Sequence, residues 1–226
     1  DSFAFRAIKK RSRDLVREFA KAASELETTT SWFTGHVHIW THVLHEHGFK
    51  DDMPLKALEI GSWEGMSSFF MLQKFHNIKL FCADTWQGSD EHADPEQIAR
   101  IERNFDANTA KYAARITKCK GTSYSFFEKH PHETDFDLIY IDGSHHCDDV
   151  MMDAIKSFER LKVGGLMIFD DYLWRHYKED RHNPAFAVNA FLRMKEGDFE
   201  LAYSGYQLMI KKTSASQERR AIPQAG

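Results

Sequence analysis

Two short apolar runs in the sequence each end in aspartate, and these acids are the first candidates for chemistry. The run 136–141 leads to Asp142, and the run 165–169 leads to Asp170 and Asp171. If the runs are adjacent parallel strands, the three carboxylates meet at one edge of a sheet and repel one another unless a cation lies between them. Carboxylate oxygens suit a hard divalent ion, so we expect Mg²⁺, with Ca²⁺ or Mn²⁺ as alternatives. Simple helix capping or backbone contacts by these acids is the other interpretation.

His145 follows Asp142 by three residues and is the candidate general base. Imidazole takes up a proton near neutral pH, which suits the deprotonation of an acceptor hydroxyl. His146 is the competitor, and a zinc site of Asp142, His145, His146 and Cys147 is a further alternative, although such contiguous ligands close a tetrahedron only with strain. Earlier histidines with helical spacing could also hold a metal, although surface or substrate-lining roles are favoured: His36, His38, His42, His45 and His47.

A glycine-bearing turn follows an earlier apolar run, in the segment 58–65 (LEIGSWEG). Glycine permits tight turns and close backbone approach, and ligands of open α/β sheets bind beyond the carboxyl ends of the strands. The spacing G-x-x-x-G differs from dinucleotide and phosphate-loop motifs, and no lysine is present to meet a triphosphate. Glu59 precedes the first glycine. The turn therefore favours S-adenosylmethionine (SAM), which carries a sulfonium cation and an amino-acid group; a purely structural turn is the alternative.

Two further strand ends carry residues that suit a nucleoside. Asp84 ends the second strand candidate, where a carboxylate can accept both ribose hydroxyls; a helix cap or a surface acid is the alternative. Ser123 follows the third strand, where its hydroxyl could bond an adenine edge and also cap the next helix. The residues predicted to bind the cofactor are Glu59, Gly61, Ser62, Trp63, Gly65, Ser67, Asp84, Thr85, Trp86, Gly121, Thr122, Ser123 and Asp142.

The elements that must position these residues alternate between strands and helices, which implies a parallel sheet covered on both faces. Apolar runs predict strands at 56–62, 79–84, 115–119, 136–142 and 165–170. Helical periodicity predicts helices near 1–26, 35–48, 65–75, 95–109, 122–130 and 147–161. Two closing strands, 198–204 and 206–212, would meet at Gly205 and form a hairpin on one edge of the sheet.

Composition bounds the class of protein. The 226 residues, 42% apolar and 28% charged, are enough for one sizeable α/β domain. A net charge of -4 and a sequence pI of about 6.4 give no general attraction to nucleic acid or to an anionic membrane. No apolar run approaches the roughly 18 residues of a membrane helix. The three cysteines are widely spaced, which is not a disulfide framework, and we expect a reducing cytoplasm.

The segments ALEIGSWEG, LFCADTW, FDLIYIDGSHH and LKVGGLMIFDDY together resemble the class I SAM-dependent methyltransferases over about 55–212. Within that class the chain is similar to the methyltransferase 24 group, which is related to macrocin-type sugar O-methyltransferases and catechol O-methyltransferase-like enzymes. The resemblance implies a Rossmann-like α/β fold: a seven-stranded, mostly parallel sheet with an antiparallel C-terminal strand and helices on both faces.

The resemblance also implies roles for individual residues. It places Glu59, Gly61 and Ser62 at the methionine end of SAM, Asp84 at the ribose and Ser123 near adenine. It makes Asp142, Asp170 and Asp171 the Mg²⁺ ligands of the metal-dependent relatives. His145 stands at the position of their general base, where the catechol enzymes have lysine.

These observations predict metal-assisted O-methylation of a hydroxylated small molecule, either a sugar or a catechol-like ring. Trp86, Tyr172, Trp174 and the loop 87–98 would wall the acceptor site, with ordinary surface aromatics as the alternative. The rival functions are a nucleotide-dependent oxidoreductase on a similar sheet and a non-catalytic SAM-binding module.

The chain is predicted to divide into three parts. Residues 51–212 form the SAM-binding domain, 1–50 a helical extension that serves as a lid or a dimer contact, and 213–226 a flexible tail. A homo-oligomer is therefore compatible with the sequence.

Overall fold

The computed structural model describes residues 13–89 and 94–214. The helices are α1 (Arg13–Ala23), α2 (Val37–Glu46), α3 (Met66–Lys74), α4 (Pro95–Thr109), α5 (Ser123–Lys129), α6 (Cys147–Arg160) and α7 (Pro184–Met194). The strands are β1 (Pro54–Ile60), β2 (Asn77–Asp84), β3 (Ile116–Lys120), β4 (Phe136–Ile141), β5 (Leu161–Phe169), β6 (Phe199–Ser204) and β7 (Leu208–Lys212). Short 3₁₀ turns lie at Trp32–Gly35, Ala110–Arg115 and Asp180–His182.

The seven strands form a sheet in the order β3-β2-β1-β4-β5-β7-β6. β1, β2 and β3 pair in parallel, as do β4 and β5, whereas β7 runs antiparallel to both β5 and β6. The predicted Rossmann-like sheet with an antiparallel C-terminal strand is therefore confirmed. The chain separates into two compact units, one ending at Thr122 and the other beginning at Ser123.

In the first unit, β1 is apolar and buried on both faces, which is the pattern expected of a central parallel strand. The segment before β1 also contributes to this core. The ring of Phe19 in α1 lies 6.0 Å from that of Phe33 and 5.6 Å from that of Phe70 in α3, and Trp40 in α2 is fully buried. Aromatic burial of this kind makes α1 and α2 part of the unit.

In the second unit, α6 and α7 pack together through Phe158 and Phe191, whose ring centroids are 5.5 Å apart. β5 begins at Leu161, four residues before its predicted start. The prediction started too late because the exposed residues 162–164 interrupt the apolar run of this strand. The pairing of β4 with β5 shifts register at this point. A Cβ on Gly165 would lie 3.1 Å from the carbonyl oxygen of Asp137, so the strands approach closely there.

Within the described ranges, no helix combines the length and apolar character needed to span a bilayer. All three cysteines lie in the described part of the chain, and none of them forms a disulfide.

Candidate active site

The glycine turn after β1 is held in an unusual backbone conformation by the carboxylate of Asp84. Gly61 and Gly65 have φ of 83° and 82°, and Trp63 has φ of 47°. Asp84 Oδ2 accepts the N–H groups of Ser62 and Trp63 at 2.7 and 2.8 Å, and its Oδ1 accepts that of Trp86 at 2.6 Å. Burial raises the pKa of Asp84, and these N–H groups oppose the rise. A ribose would have to use the remaining lone pairs, and that role stays a prediction.

Glu59 supports the same turn from inside the unit. Its side chain is fully buried, and its carboxylate accepts hydrogen bonds from the hydroxyls of Ser67, at 2.5 Å, and Ser68. Burial raises the pKa of Glu59 above its ordinary value although these hydroxyls lower it. The described contacts of Glu59 therefore join β1 to the first turn of α3, while a role at the methionine end of SAM stays a prediction.

Gly65 closes the turn where no larger residue fits. A Cβ at this position would lie 3.0 Å from Phe105 Cδ2 and 3.3 Å from Thr109 Cγ2. We expect Gly65→Ala to lower the free energy of unfolding by about 2–4 kcal/mol, since it combines a left-handed φ with a steric overlap. Urea denaturation measures this loss. Gly35→Ala is the matched control, because nothing lies within 4 Å of its Cβ, and an equal loss in both variants would contradict the explanation.

Glu64 fastens the N-terminal segment to the turn. Its buried carboxylate accepts the N–H of Thr29 at 2.7 Å and the side-chain amide of Asn104 at 2.8 Å. The ring of Trp32, 60% exposed, lies 5.8 Å from that of Trp63. Nothing in the sequence pattern pointed to these contacts, because they join residues 31 or more positions apart.

In the second unit, the acid–histidine cluster forms at the ends of β4 and β5. Ligand atoms of Asp142, His145 and Asp171 all lie within 4.8 Å of one another. His145 Nε2 is 3.0 Å from Asp171 Oδ2, and the hydroxyl of Tyr206 donates to Asp171 Oδ1 at 2.7 Å. The same unit therefore holds an imidazole oriented by a carboxylate, which is the arrangement of a general base and its partner.

Asp170 lies beside this cluster and is bound by other side chains. The hydroxyl of Tyr140 contacts both Asp142, at 2.8 Å, and Asp170, and Gln207 Nε2 donates to Asp170 at 3.0 Å. Burial, followed by the two carboxylate charges, raises the pKa of Tyr140 well above its ordinary value, so its hydroxyl stays protonated. All three predicted carboxylates are thus brought together, with Asp142 and Asp171 in the group that includes His145.

The donors in this group fit a divalent cation. Two carboxylates supply the oxygen ligands that Mg²⁺ and Mn²⁺ prefer, and an imidazole is compatible with Mn²⁺. Among the residues that the structure describes, no other group of three histidine, cysteine or acidic side chains is close enough to hold a metal. Neither the contiguous zinc set nor the α2 histidines therefore form such a group.

The three predicted wall aromatics occupy different surroundings. The ring of Trp174 lies 4.6 Å from that of His145. Tyr172 donates its hydroxyl to Asn189 at 3.0 Å, and Trp86, only 4% exposed, donates its indole N–H to Trp63 within the first unit. Of the predicted wall loop 87–98, residues 90–93 lie outside the described ranges. Trp174 is therefore the aromatic in contact with the candidate base.

Hydrogen bonds to one buried side-chain amide stabilise the loop that carries Trp174. Asn183, 3% exposed, accepts the N–H groups of His176 and Tyr177, both at 3.1 Å, and its amide donates to the carbonyl of Tyr177 at 2.9 Å. The ring of His176 stacks on Trp174 with a centroid distance of 5.2 Å. The indole beside His145 is thus held by its own loop.

Sequence reasoning missed Tyr140, Tyr206 and Gln207. Tyr140 had a usable signal, since it precedes Asp142 by two residues and alternate residues of a strand face the same side. Tyr206 and Gln207 had none, because they reach the aspartates only once β7 pairs with β5.

Asp153 on α6 is a buried acid that the sequence analysis did not consider. It is 1% exposed, and the hydroxyl of Ser123 donates to it. Burial, with a smaller contribution from the charge of Asp149, raises its pKa to about 7, and Ser123 opposes the rise. Its ordinary value is 3.8, so in the folded protein the proton is held more tightly than in the unfolded chain.

This raised pKa predicts that folding stability falls as the pH rises from 4 to 8. The two pKa values differ by about 3, which corresponds to up to roughly 4 kcal/mol. Asp153→Asn should remove this slope and be the more stable protein at pH 8, as measured by urea denaturation across the pH range. Asp148→Asn, at an exposed position of the same helix, is the control, and an unchanged slope in Asp153→Asn would refute the assignment.

Comparison with known proteins decides the family. A methyltransferase-domain family matches residues 58–172, about half of the chain. The chain belongs to this methyltransferase family. The resemblance stated from the sequence motifs is thereby confirmed, and the oxidoreductase alternative loses its support.

Sequence comparison gives one relative of the chain, and structure comparison gives proteins that share its fold. An uncharacterized protein of Acanthamoeba polyphaga mimivirus is 30% identical over 145 residues, which span 60% of each chain. The O-methyltransferase TomG of Streptomyces achromogenes, in complex with SAM, is 12% identical with a TM-score of 0.57, covering 88% of this chain and 89% of its own. PaMTH1 of Podospora anserina, bound to S-adenosylhomocysteine (SAH), is 16% identical with a TM-score of 0.57, covering 95% and 97%. MycE, from the mycinamycin pathway and in complex with Mg and SAH, is 15% identical with a TM-score of 0.58, covering 93% of this chain and 58% of its own.

Only some of the residues in contact at the acid–histidine cluster lie within the segment that matches the family. It includes the turn after β1 and the four acid–histidine residues of the second unit, and it ends at Tyr172. Tyr206 and Gln207 of the methyltransferase lie beyond it. The contacts that Gln207 makes with Asp170 and Tyr206 makes with Asp171 are therefore supplied from outside the matched segment.

Proposed function

We propose that this methyltransferase transfers the methyl group of SAM to a hydroxyl oxygen of a small molecule, with His145 as general base and a divalent metal as an aid. The observation that carries the proposal is the grouping of Asp142, His145 and Asp171 within 4.8 Å at two strand ends. A proton acceptor and anionic ligands in one place suit the deprotonation of a hydroxyl.

The donor follows from the family and from the turn after β1. TomG is in complex with SAM, and PaMTH1 and MycE are bound to SAH, which supports the same donor here. In this chain the turn has left-handed glycines, which permit close backbone approach to a ligand. The carboxylate of Asp84 accepts N–H groups of the turn, and that of Glu59 accepts the hydroxyl of Ser67 just after it. These acids favour a ligand with a cationic sulfonium and ammonium over one with a pyrophosphate.

Asp142 and Asp171 would hold the metal, and Asp170 would add a further carboxylate beside them. MycE is in complex with Mg, which makes Mg²⁺ the first choice. A bound divalent cation supplies Lewis acidity that lowers the pKa of an acceptor hydroxyl. A vicinal diol, as in a sugar or a catechol, suits chelation and remains our first choice of acceptor.

His145 would take the proton of the acceptor hydroxyl at an imidazole nitrogen while the oxygen attacks the methyl carbon. The carbon–sulfur bond of the sulfonium breaks, its electron pair stays on sulfur, and neutral SAH leaves. Asp171 stabilises the imidazolium that forms, since it lies 3.0 Å from Nε2. Tyr206 donates to the other oxygen of Asp171 and so keeps that carboxylate oriented.

Calorimetry and a transfer assay test the proposal. SAM and SAH should bind the full chain, whereas NAD should not, and mass spectrometry should detect an added methyl group on vicinal diols such as catechols or polyols. Binding of NAD in place of SAM would instead support the rival function, a nucleotide-dependent oxidoreductase. Tight SAM binding without methyl transfer to either class of diol would instead favour the non-catalytic binding module.

A further inference from the structure

The loop between β5 and α7 contacts both histidines that follow Asp142. Its Trp174 lies against the ring of His145, with 4.6 Å between the ring centroids. Its Tyr177 stacks on the ring of His146, with 4.8 Å between the centroids and 22° between the planes. Tyr177 and Trp174 also touch edge to face at 5.6 Å. The four rings therefore form a continuous chain of contacts that joins the loop to the segment after β4.

The backbone of His146 is a fixed point for this contact. His146 directly precedes α6, its carbonyl accepts the N–H of Val150 at 3.0 Å, and its own N–H donates to the hydroxyl of Ser144 at 3.2 Å. Its side chain is exposed, yet its Nε2 lies 3.2 Å from the hydroxyl oxygen of Tyr177 in addition to the ring stack. Ordering an exposed side chain costs conformational entropy. Two contacts with one tyrosine offset this cost and hold the imidazole in one orientation.

Hydrogen bonds at its two ends set the internal shape of this loop. At the start, the N–H of Trp174 donates to the carbonyl of Asp171 at 2.9 Å. At the end, the side-chain amide of Asn183 accepts the N–H of Tyr177 at 3.1 Å and donates to its carbonyl at 2.9 Å. The side chain of Tyr177 then reaches from the shaped loop to His146. This contact therefore fixes where the loop lies relative to the end of β4.

The position of Trp174 matters for the candidate base. Asp171 holds one nitrogen of His145 and the indole packs against its ring, so a loop that moves away gives the imidazole more freedom to rotate. A general base works only while its nitrogen is directed at the proton that it takes. We propose that Tyr177 is a positioning residue that docks the loop on His146. Docking keeps Trp174 against His145 and so keeps the base oriented. This inference rests on the proposed function, because it takes His145 as the general base.

Limited proteolysis of the full chain measures the docking. Trypsin cleaves after Arg175 and Lys178, which are exposed positions of the loop, and mass spectrometry identifies the cuts. Cleavage at these sites should be at least about fivefold faster in Tyr177→Ala, because a ring stack and a hydrogen bond are lost and the loop opens more often. His146→Ala should have the same effect while leaving the cleaved sequence unchanged. His132→Ala, at an exposed position before β4, is the control and should be cleaved like the unaltered protein.

Two further measurements connect docking to the reaction. In proton NMR spectra the ring current of Trp174 shifts the imidazole signals of His145, which are assigned by their loss in His145→Ala. These signals should move toward their ordinary positions in Tyr177→Ala. With SAM and the diol that is methylated fastest in the transfer assay, kcat should fall about fivefold, whereas KM for SAM should change less than about twofold. Tyr177→Phe, which keeps the ring, should retain most of the docking and of kcat.

Unchanged cleavage in Tyr177→Ala and His146→Ala, with each variant shown to be folded by circular dichroism, would overturn the inference. Faster cleavage with unaltered His145 signals or unaltered kcat would overturn it as well, because the loop would then not orient the base. Absence of methyl transfer by the unaltered protein would instead refute the proposed function. The proteolysis and NMR measurements need no turnover, so they tell these two failures apart.

Discussion

His145→Ala is expected to lower kcat by about 10²–10⁴-fold, the usual contribution of a general base. The imidazole lies 3.0 Å from Asp171 and against the ring of Trp174, so its orientation is already set for proton transfer. SAH affinity should change less than about threefold, because the residues predicted to bind the donor's amino acid and ribose are elsewhere on the chain. Initial rates and calorimetry measure the two quantities.

His146→Ala is the matched control for this experiment. His146 is the neighbouring imidazole, its ring is stacked on Tyr177 at 4.8 Å, and it was the competing candidate for the base. Near-normal turnover in His145→Ala, with a large loss in His146→Ala, would show that His146 and not His145 is the general base. Titration with Mn²⁺ separates base from ligand, since loss of a ligand weakens metal binding and loss of a base does not.

Removal of divalent metal should lower kcat by at least about 10²-fold, and added Mg²⁺ or Mn²⁺ should restore it, given the several kcal/mol that such an ion contributes. The effect follows from the two carboxylates within 4.8 Å of one imidazole. Rates after dialysis against EDTA, and then after metal is returned, measure it.

Asp142→Asn provides the corresponding substitution, and it should weaken Mn²⁺ binding in an electron paramagnetic resonance titration. Asp148→Asn, six residues along the chain and exposed, removes the same charge as a control. Full activity in the presence of chelator would end the metal proposal while leaving His145 as a candidate base.

The strands of this fold were predictable because buried parallel strands are continuous apolar runs. β4, with its sequence FDLIYI, is the clearest case. α7 was missed, although Pro184 at its first position and the buried residues Ala187, Val188 and Phe191 have the spacing of a helix face. The early start of β5 was missed because a bulge of exposed residues precedes its apolar part.

The candidate site was predictable where it lies at strand ends. Asp142, Asp170 and Asp171 were found because parallel strands bring their carboxyl ends to one edge. Their hydrogen-bond donors were not found, since Gln207 approaches Asp170 only through pairing between strands distant in sequence. The division of the chain at 50 and 212, the dimer contact, the cytoplasmic location and the small-molecule partner stay predictions. The proposed tail 213–226 lies outside the described ranges from residue 215.

The contact between Glu64 and Thr29 limits how this enzyme can be shortened. A chain cut to begin at residue 51 would retain the Glu64 carboxylate while removing the backbone N–H that it accepts at 2.7 Å, together with the indole of Trp32. Water would then enter beside the turn after β1. A shortened chain that keeps these contacts must therefore begin upstream of Glu27, whose own N–H is accepted by Asn108 Oδ1.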